Sequence, residues 1–312
     1  MRFHFGLGAL RRFPKGSVVT IGNYDGVHLG HRAVLRELCR VAKLHRLPAV
    51  ALVFEPQPQE FFRKDRAPAR LSGLRDKVLL LADAGVAHLV CLRFNHRLAA
   101  LSAAQFAERV LVRGLSARAV VVGDDFRFGQ GREGDFESLR ALGVRLGFEA
   151  VPVPGYTLDG ERVSSTRIRA LLSAGDLTAA RRLSGHAVSI AGHVVRGEQL
   201  GRQLGHATIN LALRGRVAPL QGVFAARLHG LGAETLAGVA YIGPRPVLEI
   251  HLFDFHTECY GRIVRVELLE RLRGDRRFDD RSALREQIAR DAAQARAVLG
   301  LAAPRRRRAS VS

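Results

Sequence analysis

The patterning of apolar segments changes once along the chain, near Gly185, and that change calls for two different packings. Before it, short apolar runs alternate with segments of helical period: VVTIG, HRAVLRELCRVAKLHR, AVALVF, RDKVLLLADAG, HLVCLRF, AQFAERVLVRG, ARAVVVGDDF, SLRALGVRLG and FEAVPV. Uninterrupted Val, Ala, Leu and Ile suit strands covered on both faces, and the periodic segments suit the covering helices. Such a series predicts a parallel sheet with helices on both sides, a layout that takes ligands at the carboxyl ends of its strands. Two short helical stretches, TRIRALLSAG and LTAARRLSG, close this part. Past Gly185 come HAVSIAGHVV, ATINLAL, GVFAARLHG, ETLAGVAYIG, VLEIHLFDF and RIVRVELLERL, separated by Gly- and Pro-containing turns. So many short strands in succession predict a compact antiparallel barrel. SALREQIARDAAQARAVLG predicts one terminal helix, with Ser282 as its N-cap. The expected domains are residues 1–185 and 186–300, followed by a basic tail at 301–312.

With 47% hydrophobic residues in 312, the chain can build two cores, so its net charge of +20 does not make it a disordered polyelectrolyte. That charge is spread over both halves and carried almost wholly by Arg, with Lys only at Lys15, Lys43, Lys64 and Lys77. A clustered basic face would point to nucleic acid; the spread charge reads as a solvated surface, and no specific nucleic-acid partner is expected. The one dense run, Arg305 to Arg308, falls in the tail and is expected to be disordered. No apolar stretch approaches the ~18 residues that span a bilayer, and the N-terminal apolar run is too short and interrupted for a signal sequence. No membrane partner and a cytoplasmic location are therefore expected. Cys39, Cys91 and Cys259 are widely spaced and form no metal-ligand pattern, as for reduced, mostly buried thiols. The sequence sets no oligomeric state.

Between the first strand and the first helix stands GNYDGVHLGH, residues 22–31. A strand-to-helix turn offers backbone N–H groups and a positive dipole end to an anion, and Gly30 removes the Cβ that would hold a phosphate away. His28 and His31 flank that glycine, so two imidazoles stand ready to hydrogen-bond phosphoryl oxygens as charge builds on them. Gly22, Asn23 and Asp25 share the turn and are further candidates for phosphate binding. The plainer alternative is a pair of histidines that only cap the helix or face water. GDDFRFGQGREGD, residues 123–135, follows a strand and has the content of a ligand-gripping loop or of an ordinary Gly-rich turn. VSSTRIR, residues 163–169, opens a helix with the hydroxyls of Ser164, Ser165 and Thr166 and the guanidinium of Arg167, suited to a phosphate tail or to a simple N-cap. No G-x-x-x-x-G-K-[ST] occurs, which excludes a Walker-type ATPase.

In the second part, LGRQLGHATINL spans residues 200–211. Gly201 and Gly205 allow a backbone to approach phosphate, and Thr208 and Asn210, two apart on a strand, leave the same face. Such an oxygen pair helps to hold a hydrated Mg²⁺, which takes few protein ligands beside nucleotide phosphates; an ordinary half-buried strand is the alternative. Glu249 and His251 in VLEIHLFDF share a face by alternation, and that face is expected to be the barrel interior, where a carboxylate needs a role or a partner.

In this order and spacing the first three motifs resemble the FMN adenylyltransferase (FAD synthetase) domain of bacterial bifunctional riboflavin kinase/FAD synthetases, a family of H-x-G-H nucleotidyltransferases. Phe54-Glu55-Pro56-Gln57-Pro58 is similar to the family's F-E-P-H-P segment, with Gln57 in place of His, and Asp125 takes the position of its GxDF or GxNF motif. The second part resembles the riboflavin kinase domain: Gly201 to Asn210 follows G-R-x-L-G-F-P-T-A-N with His206-Ala207 for Phe-Pro. Gly222-Val223-Phe224 and Gly243-Pro244-Arg245-Pro246 look like its G-V-Y and G-x-R-P segments, and the loop before the catalytic glutamate is shortened. The resemblance covers residues 15–300.

It implies an α/β nucleotidyltransferase domain with a Rossmann-like parallel sheet, followed by an antiparallel β-barrel domain with a C-terminal helix. It also implies His28, His31 and the serine-rich segment on ATP phosphates, and Asp125, Phe126 and Arg127 by the nucleotide and flavin. Thr208 and Asn210 would hold the magnesium nucleotide, and Glu249 would be the kinase base. The substrates implied are riboflavin, FMN and ATP, with Mg²⁺ at both sites. A rival reading keeps the adenylyltransferase and makes the second domain a degenerate flavin-binding module.

Overall fold

The computed structural model describes residues 1–6, 8, 13–196, 208–213, 220–245, 247–255, 257–276, 278 and 280–302. They pack as two compact units, Met1–Pro68 with Ser72–Ser165, and Ala69–Leu71 with the chain from Thr166 onward.

The first unit runs β1 (Arg2–Phe5), β2 (Ser17–Ile21), α1 (Leu29–His45), β3 (Ala49–Glu55), α2 (Pro58–Arg63), α3 (Leu74–Asp83), β4 (His88–Arg93), α4 (His96–Ala99) and α5 (Ala103–Phe106). A π-helical stretch, Ala107–Val112, leads into α6 (Arg113–Leu115). Then come β5 (Ala117–Gly123), α7 (Phe136–Leu146), β6 (Glu149–Val153) and a small hairpin of β7 (Thr157–Leu158) and β8 (Glu161–Arg162). The six long strands form one parallel sheet in the order β1-β4-β3-β2-β5-β6. Alternation along the strands separates two cores. Val18, Ala51, Cys91 and Val121 pack under α1 through Leu35 and Leu38, whereas Val19, Leu52, Val120 and Val122 face Phe106, Leu111 and Leu139. From β2 the chain steps outward to β3 and β4 and then returns to place β5 on the other side of β2. That reversal opens a crevice at the carboxyl ends of β2 and β5, the place where such sheets bind ligands.

The second unit holds α8 (Ser165–Ala174, from Thr166 onward), α9 (Leu177–Ser184), β9 (Val188–Val195), β10 (Thr208–Ala212), β11 (Gly222–His229), β12 (Leu236–Ile242), β13 (Val247–Leu252), β14 (Ile263–Arg273) and α10 (Arg281–Val298). The strands close into an antiparallel barrel in the order β10-β13-β12-β11-β14-β9. Both layouts are those the patterning calls for. Gly222 starts β11 at φ +129 where any Cβ would strike the Arg273 carbonyl oxygen, so the barrel closes there only with glycine. Helix α10 covers Ala225 and Phe253 with Ala295 and Leu299. The Arg273 guanidinium pins the helix by donating to both carboxylate oxygens of buried Asp291, at 2.9 to 3.1 Å. Its N-cap is Asp280, which accepts from the Ala283 N–H at 2.8 Å, and not Ser282, which lies in the first turn. A carboxylate outcompetes a hydroxyl here because it also favours the positive end of the helix dipole.

Candidate active sites

At the crevice of the parallel sheet lies a cavity of about 1110 Å³ lined by residues of the first unit. Its floor is the turn after β2. That turn contains three residues in left-handed backbone, Tyr24 (φ 46), Gly26 (φ 81) and Val27 (φ 37), of which only the glycine is at ease. His28 then caps α1, its Nδ1 accepting the His31 N–H at 3.2 Å. Accepting at Nδ1 places the proton of a neutral His28 ring on Nε2. The two imidazoles stack with centroids 3.7 Å apart and planes at 14°. Burial above all, then the charges of His28 and Lys77, hold the pKa of His31 well below 6.5, so its ring is neutral at pH 7. A Cβ on Gly30 would lie 3.2 Å from the His28 ring and from the Val163 carbonyl oxygen, which keeps this position small. The Arg32 N–H returns to the His28 carbonyl at 2.9 Å, leaving the Leu29 and Gly30 amides for a ligand at the helix start.

Gly22, Asn23, His28, Gly30 and His31 line the cavity together with Asp125, Phe126, Arg127, Ser164 and Ser165. Three motifs far apart in the chain thus meet at one place. Asp125 Oδ2 accepts from Arg162 at 2.7 Å, and Arg127 pairs with Asp135 at 3.0 Å. Asp25 is buried, its Oδ1 accepts the Ser72 N–H at 3.0 Å, and it is not among the residues lining the cavity. Thr166 and Arg167 stand in α8, in the second unit, and are not among the lining residues. The cavity also has an aromatic wall that no sequence motif predicts. Phe54, Phe62 and Phe94 line the cavity, with Phe54–Phe94 and Phe62–Phe94 centroids 5.8 and 5.7 Å apart. Phe126 stacks on Phe128 at 5.4 Å and 11°. Such a wall gives a flat aromatic ligand faces and edges to pack on.

On the barrel, Leu248, Ile250 and Leu252 are buried and Glu249 is exposed, so the face shared by Glu249 and His251 is the outer one and not the interior. Asn210 is the cross-strand partner of Glu249 on β10, and Tyr241 is its partner on β12, so the three side chains stand in one row; Thr208 pairs with His251 in the next. The Tyr241 hydroxyl donates to Asp275 Oδ1 at 2.9 Å. Burial first, then Asp275 and the charge of Glu249, push its pKa up to about 12. Thr208, Asn210 and Glu249 thus supply hard oxygen donors on one face, a chemistry that fits a cation which keeps waters and phosphate oxygens in its shell. Among the described residues no cluster of three His, Cys, Asp or Glu could hold a metal by itself. Gly201 and Gly205 lie outside the described residues.

Comparison with known proteins decides the lineage. The FAD synthetase family model matches residues 10–167 and the riboflavin kinase family model matches residues 184–299. The chain is 44% identical over 312 residues to the bifunctional riboflavin kinase/FMN adenylyltransferase of Escherichia coli K12, covering 97% of this chain and 100% of that one. The chain belongs to the bifunctional riboflavin kinase/FMN adenylyltransferase family. The member from Pseudomonas fluorescens is 44% identical over 307 residues, covering 96% of this chain and 97% of that one. A solved structure from Streptococcus pneumoniae, described as a macrolide-efflux protein, matches with a TM-score of 0.76 at 26% identity and covers 93% of this chain and 97% of that one. Among the described residues no helix is long and apolar enough to cross a membrane. Membership in the riboflavin kinase/FMN adenylyltransferase family accounts for both folds and for the order of the motifs.

Proposed function

We propose that the protein makes FAD from riboflavin in two ATP-dependent steps, with residues 1–185 as the adenylyltransferase domain and 186–300 as the kinase domain. The observation that carries this reading is the convergence of the histidine turn, the Asp125 loop and Ser164–Ser165 on one cavity with an aromatic wall. In the kinase step the 5′-hydroxyl oxygen of riboflavin bonds to the γ-phosphorus of ATP, the bond to the β–γ bridging oxygen breaks, and ADP leaves. Glu249 takes the hydroxyl proton. Thr208 and Asn210 would hold the Mg²⁺ of the nucleotide, whose charge would neutralise phosphate oxygens.

In the second step a phosphate oxygen of FMN bonds to the α-phosphorus of another ATP, and pyrophosphate leaves. FMN brings an anionic nucleophile, so this step needs no base. It needs donors for the growing charge: the Nε2–H of His28, the neutral ring of His31 and the amides at the start of α1. Ser164 and Ser165 are assigned to the triphosphate, and Phe126 with the other phenylalanines to the flavin ring. Mg²⁺ is assigned to this site too. A cytoplasmic location, with ATP at hand and the three cysteines reduced, belongs to the same reading.

Incubating the protein with riboflavin, ATP and Mg²⁺ and resolving the products by chromatography tests it. Both FMN and FAD are expected. FAD from supplied FMN, with no FMN from riboflavin, would instead establish the degenerate second domain.

A further inference from the structure

The turn that presents His28 and His31 is not held by the sheet alone. Ser72, from the segment before α3, is buried and meets it at two points. Its Oγ accepts the Gly26 N–H at 2.9 Å, while its own N–H donates to Asp25 Oδ1 at 3.0 Å and its hydroxyl donates toward the same oxygen at 3.4 Å. The Asp25 carbonyl in turn accepts from Ser165 Oγ at 3.0 Å, so the turn is tied to the edge of a second motif of the cavity.

We propose that Ser72 is a positioning residue for adenylyl transfer, acting through Asp25 and Gly26 to hold the histidine turn in its working shape. The inference rests on the assignment of that chemistry to this cavity. Residues in left-handed backbone persist only where their surroundings over-determine them, and Tyr24 and Val27 flank the clasped pair. A hydroxyl is required because it accepts from Gly26 while donating to Asp25. An alanine would remove the Oγ that the Gly26 amide donates to and one donor to the Asp25 carboxylate. His28 follows Val27 directly, so a relaxed turn carries the imidazole and the α1 amides away from the phosphates. Displacements on the order of 1 Å at such a site cost about 10²-fold in rate.

The test compares Ser72→Ala, Ser72→Cys and Ser72→Thr in the full chain with wild type, each assayed well below its unfolding midpoint so that the folded fraction is constant. The readout is FAD formed from supplied FMN and ATP. Ser72→Ala and Ser72→Cys are expected to lose roughly ten- to a hundredfold in kcat, Ser72→Thr to stay within about threefold of wild type, and phosphorylation of riboflavin to be unchanged in all three. Wild-type kcat in Ser72→Ala would overturn the proposal, and so would equal losses in Ser72→Thr and Ser72→Ala, which would mark a site of packing. Absence of FAD formation in the wild type would sink the functional assignment itself, a result told apart from the others by that control.

Discussion

His28 and His31 lie ring on ring, with centroids 3.7 Å apart and planes at 14°, and His28 accepts the amide of the residue it stacks on. Two imidazolium cations could not share that distance in a buried site without strong repulsion. The pair therefore works at neutral pH with at least one uncharged ring, as a source of hydrogen bonds more than of net charge.

Replacing His28 or His31 by Ala is expected to cut FMN adenylylation by on the order of 10²–10³, the usual loss for one donor to developing charge. Riboflavin phosphorylation is expected to persist, so FMN accumulates. Chromatography of the products of each variant checks this, and equal loss of both activities in a folded His28→Ala protein contradicts the two-site assignment.

The depressed pKa of His31 has a consequence for stability. An unfolded chain titrates this ring near 6.5, while the folded one resists the proton well below that. Below about pH 6.5 the unfolded state binds a proton that the native state refuses, so stability is full above that pH and falls on acidification by about 1 kcal/mol per unit for this ring. Denaturant unfolding of the wild type and His31→Asn at pH 7.5 and pH 5.5 reads it. The variant is expected to lose less stability on acidification; identical losses count against the neutral ring.

Glu249→Gln keeps the shape of the side chain and removes its basicity. Riboflavin kinase turnover is expected to fall by roughly 10²-fold or more with ATP binding nearly intact, while supplied FMN still becomes FAD. Turnover near that of wild type would remove Glu249 as the base.

A chain ended after Gly300 is expected to keep both activities and to fold, with weaker nonspecific affinity for polyanions, because Arg305 to Arg308 lie beyond both motif sets. Loss of FAD formation on truncation would show the tail to be part of the enzyme.

Strand–helix order, barrel and turn motifs were legible because each is local: VVTIG followed by a glycine turn and a periodic helix specifies its own geometry. Glu249 shows where locality ends. Alternation pairs it with His251 but does not say which side of the strand is the core; Leu248, Ile250 and Leu252 carried that signal and were outweighed by the chemistry expected of a carboxylate. Ser72 could not be read at all, since a serine 47 positions from Asp25 acquires its role only when the fold brings the two together. Phe54, Phe62 and Phe94 form a wall for the same reason, two lying at the ends of neighbouring strands and the third on α2. Asp25 has the residue type of a ligand contact, yet its carboxylate is engaged by Ser72.

The sheet order carries a cost during synthesis. β2 is the buried centre of the sheet, yet its neighbour β5 begins only at Ala117. At ~5–20 residues per second, roughly 5–20 s pass on the ribosome between the two strands. Throughout that interval Val18, Val19 and Ile21 sit on an open edge whose unpaired amides and carbonyls invite any passing strand. The middle of the finished sheet is thus, while the chain is being made, an adhesive border.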